Sequence, residues 1–287
     1  MLCEWLGSLR AFPETRDAPV GIIDAGLTPA QIEHLKPLVT SIRPGLWPLP
    51  ELEKKAGGKQ FLQACVSRPF IPDLFPGHET YVWMDADTWL QTPEAVDLLL
   101  RGAQRKGLAV VPQTDRAYGK AMRLGWLGPF PFRPRSFYYS NARKAFDGKT
   151  ARALFPYPAL NAGVFALAGN APHWARWQIL IKKALKKGKI FTAEQLTLGM
   201  LVYLEGFEAE FLPAWCNWLC EHAPLWDEDR HLFVEPYLPH HPLSVIHLCG
   251  LDDVRRDRAI LSPFQTVQGK QVTRSYRYLD QKTIGCP

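Results

Sequence analysis

A chain of 287 residues, 47% hydrophobic, is long enough to bury a full core and fits one large α/β domain better than two small ones. Its 25 prolines are scattered through loops, which excludes a low-complexity or repeat class. The formal charge of +6 suits an anionic partner such as a nucleotide, a lipid head group or an acidic glycan, yet no basic run interleaved with spaced aromatics marks a nucleic-acid binder. Six cysteines without an N-terminal secretion signature fit reduced thiols in a cytoplasmic protein. The longest uncharged span, residues 155–175, is broken by Pro156, Pro158 and Pro172 and cannot be a membrane helix, so any membrane contact would be peripheral.

From the N-terminus, Leu2, Trp5, Leu6 and Leu9 fall at helical spacing and predict a helix over 2–12. Residues 19–23 read as a buried strand, and Thr28, Pro29 and Gln31 supply an N-cap, a first-turn proline and a capping box for a helix through Leu38. Residues 41–50 read as irregular, residues 57–66 as a helix, and residues 81–84 as a strand. A helix over 93–105 and a buried strand over 108–112 follow. This strand, helix, strand alternation predicts an α/β domain with a mostly parallel central sheet flanked by helices, its ligands lying beyond the carboxyl ends of the strands.

Residues 125–158 are rich in aromatics, including Trp126, Phe130, Phe132 and Tyr138. They read equally as an acceptor-binding flap or as an irregular packed connection. The helix over 172–187 sets Trp177, Leu180, Ile181, Ala184 and Leu185 on one side and Lys182, Lys183, Lys186 and Lys187 on the other. A solvated face is the default there, and docking on an anionic membrane is the sharper alternative.

The most telling stretch is Tyr81-Val82-Trp83-Met84-Asp85-Ala86-Asp87, an apolar strand that ends in an Asp-x-Asp pair. Alternation along a strand would send both carboxylates to one side, and their repulsion is relieved by a hard divalent cation such as Mg²⁺ or Mn²⁺. Cys216, Cys220 and His222 invite a zinc reading, but their spacing is not a standard knuckle. Three later segments matter more. Leu160-Asn161-Ala162-Gly163-Val164 reads as a small flexible turn before a buried strand, with an amide that both donates and accepts hydrogen bonds. Thr192-Ala193-Glu194-Gln195 sets a carboxylate beside an amide at a helix start, and Val245-Ile246-His247-Leu248-Cys249-Gly250 is a strand ending in an imidazole and a glycine.

With these four elements in this order, the chain resembles the nucleotide-sugar-dependent glycosyltransferases of the GT-A fold, most closely the glycogenin-like and lipopolysaccharide galactosyltransferase-like group. The resemblance implies a single Rossmann-like GT-A domain over residues 1–260 with a C-terminal extension over 261–287. It implies that Asp85, Asp87 and His247 bind Mn²⁺ or Mg²⁺, with Asp85 also contacting the donor's ribose. Asn161 and Gly163 would line the donor-sugar and acceptor side, Glu194 and Gln195 would meet sugar hydroxyls, and Gly250 would offer its backbone near the diphosphate.

The implied reaction moves a sugar from a nucleoside diphosphate donor, UDP first among them, to a hydroxyl of a glycan, lipid-linked or protein acceptor, with retention. Asn161, Glu194 and Gln195 are the catalytic candidates, and Glu194 alone is a candidate nucleophile or base. Three departures stand out: Glu194 where the group usually has aspartate, Leu251-Asp252-Asp253 where it has a lysine, and no strand ahead of the first helix. For the missing lysine, Arg255 or Arg256 is the candidate substitute. The departures keep open a catalytically impaired nucleotide-sugar-binding protein. An aspartate-nucleophile phosphatase fits less well, because Trp89 occupies the position where that motif needs threonine or valine.

Overall fold

In the computed structural model, which describes residues 1–119 and 123–279, the apolar run before Asp85 is an edge strand of a four-stranded sheet. The chain opens with α1 (Leu2–Arg10), burying Trp5, Leu6 and Leu9 as their spacing predicts, and the single turn α2 (Pro13–Arg16). Next, β1 (Gly21–Asp24) pairs in parallel with β2 (Ser41–Pro44), and between them α3 (Pro29–Leu35) starts on the complete Thr28/Gln31 capping box. Residues 41–44 are thus a strand where an irregular stretch was expected. A two-stranded pair is all edge, and Pro44 at the strand end removes no ladder donor that a third strand would need.

Of the helix expected over 57–66 only the second half forms, as α5 (Leu62–Ser67), and a helix that was not expected, α4 (Glu51–Ala56), precedes it. Gly57 and Gly58 lie at φ of +60° and +81°, so they terminate a helix rather than begin one. A 3₁₀ turn, Arg68–Phe70, and α6 (Ile71–Leu74) lead to β3 (Thr80–Met84), and β4 (Thr88–Leu90) follows directly.

The expected strand, helix, strand unit is completed by α7 (Glu94–Lys106) and β5 (Leu108–Pro112). Residues beyond it form the hairpin β6 (Arg123–Leu127) and β7 (Phe130–Arg135), then α8 (Phe137–Ala145) and α9 (Gly148–Leu154). The strand β8 (Leu160–Ala168) then enters between β3 and β5, antiparallel to both, and β9 (Glu210–Phe211) joins β5 in parallel. The central sheet is therefore mixed, not mostly parallel. β3 and β5 do share a direction, but residues 113–159 bring the chain back from the opposite end to fill the gap between them.

Two helices, α10 (His173–Leu185) and α11 (Ile190–Tyr203), cover one face of this sheet. A second sheet carries β10 (Trp218–Leu219) and β4 on either side of a later strand. After the hairpin β11 (Leu225–Asp227) and β12 (Leu232–Val234), that central strand is β13 (Val245–His247). The helix α12 (Asp252–Arg256) and the hairpin β14 (Ser262–Gln265) and β15 (Gln271–Arg274) end the described chain.

Alternation along the central strands divides the core in two. Leu108, Val110, Phe165 and Leu167 pack against α10 and α11, whereas Ala109, Val111, Val164 and Ala166 pack with residues of α1 and α7. Both faces are covered, as expected. The apolar side of α10, centred on the fully buried Trp177, lies in the first of these cores, and its four lysines face solvent. The apolar side that a bilayer would have to take up is thus largely occupied by the core, with Ile179 left exposed beside the lysines. Residues 262–279 are tied to α1 by a buried bidentate pair, Arg277 Nε and Nη2 donating to Glu4 Oε2 and Oε1 at 2.6 and 2.7 Å. Cys65, Cys216, Cys220 and Cys249 are free thiols, whereas Cys3 is disulfide-bonded, which corrects the all-thiol expectation for that residue. Among the described residues no helix is long and apolar enough to cross a membrane.

Candidate active site

Asp85-Ala86-Asp87 is the link by which the chain passes from the first sheet to the second. Alternation along a strand does not set its geometry, because the strand ends at Met84. A turn does: the Thr88 amide donates to Asp85 O at 3.0 Å, the Asp85 amide to Gly163 O at 2.8 Å, and the Leu248 amide to Asp87 O at 2.9 Å. The two carboxylates converge all the same. With His247, at the end of β13, each offers one ligand atom, and all three atoms lie within 4.8 Å of one another. Among the described residues no other group of three His, Cys, Asp or Glu side chains does this, so Cys216, Cys220 and His222 form no such centre.

Two arginines divide the carboxylate oxygens. Asp85 Oδ1 accepts from Arg68 Nη2 at 2.5 Å and Trp83 Nε1 at 2.8 Å, while Asp87 Oδ2 accepts from Arg255 Nη1 at 2.7 Å. That leaves Asp85 Oδ2, Asp87 Oδ1 and His247 Nε2, one donor per residue, and Nε2 already stands 3.5 Å from Asp87 Oδ1. Two hard oxygens and one imidazole fit Mn²⁺ or Mg²⁺ with positions left over for water and phosphate. Of the two basic candidates after Gly250, Arg255 is the one at the site, bridging Asp87 and Asp252, whereas Arg256 is exposed.

The imidazole is set by a chain of amides. The Gly163 amide and Asn217 Nδ2 both donate to Asn161 Oδ1, at 2.8 and 3.0 Å, so Asn217 turns its Oδ1 to His247 Nδ1 at 2.8 Å. His247 then donates from Nδ1, and Nε2 is turned toward the carboxylates, where it faces Asp87 as a donor when the ring is protonated and offers a lone pair to a cation when it is neutral. Gly163 cannot carry a side chain here, since a Cβ would lie 2.5 Å from His247 Cε1 and 2.8 Å from both Asn161 Oδ1 and Asp85 Oδ2. It is not part of a flexible turn before the strand, because β8 already includes Leu160 and Asn161 and shifts register beside them, opposite Val110 and Val111.

Charge behind the site is concentrated in a buried triad. Arg68, over the ring of Trp83, bonds Asp85 with one nitrogen and Glu194 Oε1 with the other at 2.9 Å; the Arg68 and Glu194 side chains are 7% and 5% exposed. Burial raises Asp85, with repulsion from Asp87 adding to it and Arg68 opposing. Burial also pushes Asp87 upward, but bonds to His247 and Arg255 outweigh it and hold that carboxyl well below the usual range. Glu194 is pushed by burial up to about 7 against the pull of Arg68, and its Oε2 has no hydrogen-bond partner among the described residues. A carboxyl so placed can hold or release a proton near neutrality.

Asp85, Asp87, Asn161, Gly163, Glu194 and His247 are therefore one connected network. Gly250, at φ +78°, turns the chain three residues beyond His247 and packs on Glu221. Gln195 is half-buried beside Glu194 and, among the described residues, makes no hydrogen bond to the network. Arg68, Trp83 and Asn217 are the members that sequence reading missed. A cavity of about 360 Å³, lined among others by Tyr118, Tyr138, Tyr157, Leu219 and Glu221, adjoins the site, because Leu219 pairs with His247 and Glu221 touches Gly250.

Replacing Asn217 by leucine, which keeps the branched shape and removes the amide, should free the imidazole to rotate. Mn²⁺ affinity measured by calorimetry is expected to fall about 10- to 100-fold with the fold retained, as is usual when the group that orients a ligating histidine is lost. Unchanged affinity would show that the amide chain does not set the ring.

No family model matches the chain, and no curated protein does. Solved structures similar to it in backbone course include glycosyltransferases. The bifunctional glycosyltransferase WbbM in its apo form is 15% identical, with a TM-score of 0.46 over 79% of this chain and 37% of that one, so the chain spans little more than a third of WbbM. The galactosyltransferase LgtC, in complex with donor and acceptor sugar analogues, is 14% identical, with a TM-score of 0.48 over 87% of this chain and 82% of LgtC. An active-site mutant of LgtC is 12% identical, with a TM-score of 0.48 over the same shares.

Proposed function

We propose that this chain is a metal-dependent glycosyltransferase that moves a sugar from a nucleoside diphosphate donor, UDP in the first instance, to an acceptor hydroxyl with retention of configuration. The observation that supports it most is the convergence of Asp85, Asp87 and His247, each offering one ligand atom within 4.8 Å of the others. Bound there, Mn²⁺ or Mg²⁺ would supply Lewis-acid neutralisation of charge on the departing diphosphate.

The protein's own groups do the rest. Asn217 orients His247, and Gly163 leaves the space between imidazole and carboxylate clear. Arg255, a third exposed and already on Asp87, stands in for the lysine the group usually has and can turn a second nitrogen to a phosphate. Gln195 would meet the sugar hydroxyls, and Glu194, buried behind the site on Arg68, can carry a proton at neutral pH. The tyrosine-lined cavity beyond Leu219 takes the acceptor.

Thermal-shift measurement of nucleotide sugars with and without Mn²⁺ tests this. A donor at about a hundred times its Kd should stabilise the protein by about 2.7 kcal/mol, and only when the metal is present. Indifference to every nucleotide sugar with metal present would end the proposal, as would release of phosphate from a simple phosphomonoester. Donor binding without transfer or slow donor hydrolysis would assign the chain to the impaired binding proteins.

A further inference from the structure

The largest apolar exposure of the described residues is gathered on one hairpin. On β6 and β7, Leu124, Trp126, Leu127, Phe130 and Phe132 are 50–72% exposed. Leu127 faces Phe130 and Trp126 faces Pro131 across the pair, and among the described residues no third strand joins it. A lone two-stranded hairpin is marginal in water, and large apolar side chains exposed together at its tip mark an interaction site.

Charge identifies the partner. Between Asp115 and Asp147 the sequence has no acidic residue, while Lys120, Arg123, Arg133, Arg135, Arg143 and Lys144 are all basic. Exposed aromatic side chains on a stretch without acidic residues, which also exposes Arg135, Arg143 and Lys144, match an anionic lipid surface, where rings enter the head-group boundary and cations meet lipid phosphates. A second copy of the chain fits worse, because a two-fold contact through this face would set the same cations against each other. Strand addition along β7 is also opposed by Pro131 and Pro134, which lack amide donors.

We propose that the β6–β7 hairpin docks the protein on an anionic bilayer. The proposal stands apart from the sugar-transfer reading. The full chain should sediment with vesicles of phosphatidylcholine containing about a third phosphatidylglycerol, bind phosphatidylcholine alone at least tenfold less, and be released at high salt. The variant Trp126→Ser/Phe130→Ser/Phe132→Ser should lose at least tenfold in partitioning at an unchanged melting temperature, since these side chains support no core. The variant Lys182→Gln/Lys183→Gln/Lys186→Gln/Lys187→Gln should partition within about twofold of the parent, its helix being already packed. Absence of vesicle binding, equal binding by the triple serine variant, or loss confined to the lysine variant would each overturn the proposal. A concentration-dependent dimer that the serine variant abolishes, without vesicle binding, would do so in favour of a second copy.

Discussion

Replacement of Asp87 by alanine is expected to lower metal-dependent turnover of a nucleotide sugar by about a thousandfold or more, since it removes both a ligand and the charge that holds Arg255. The fold should survive. Arg255 is 35% exposed and keeps Asp252 as a partner, so water and that carboxylate take over, and the expected stability loss is only about 1–3 kcal/mol. Asp87→Asn, which keeps the shape and loses the charge, should be nearly as inactive, and excess Mn²⁺ should not restore either variant. Steady-state assay of donor hydrolysis or transfer, with melting curves as the control for folding, decides it: full activity in a well-folded Asp87→Ala protein would remove the metal from the reaction.

Replacement of Arg68 by methionine should do the reverse, costing more in stability than any other single change at the site. Among the described residues its guanidinium is the only cation bonded to both Asp85 and Glu194, and removing one member of a buried ion pair typically costs about 3–5 kcal/mol. A melting point lower by roughly 6–20 °C at pH 7.5 follows, given about 2–4 °C per kcal/mol in a chain of this size. The loss should depend on pH in a defined direction. Glu194 in the parent already has its folded-state value raised to about 7 from an ordinary 4.5, so its contribution falls as pH rises through that window and is constant above it. Without Arg68, Asp85 and Glu194 are both raised further, which extends the window upward. The deficit should therefore shrink as pH falls below about 7, because the buried carboxyls of the variant take up protons earlier than those of the parent. A deficit independent of pH in metal-free buffer would show that Arg68 acts through packing on Trp83 alone.

What could be read from the residues followed from range. The Thr28 capping box, the α1 and α10 periodicities and the turn-bounded runs at 81–84 and 108–112 are local, and each appears near its expected bounds. The insertion of β8 between β3 and β5 joins segments about eighty residues apart, which no period or cap encodes, and it turned an expected parallel sheet into a mixed one. The site divides in the same way. Asp85, Asp87 and His247 announce themselves at strand ends, but Arg68 and Asn217 act by reaching across the fold. Their one linear signal is a polar residue lodged among apolar neighbours, Arg68 between Val66 and Phe70 and Asn217 between Trp215 and Trp218. For a side chain in such a setting, burial forces a partner to exist without naming it.

The passage of Asp85-Ala86-Asp87 between sheets has a mechanical corollary. One candidate ligand follows the last residue of the first sheet, and another is contributed by the middle strand of the second. An ion seated among them is a rivet through two plates. Its release should loosen the seam between the plates before either one frays, and slowed amide exchange along β4 and β13 on adding Mn²⁺ would register the tightening.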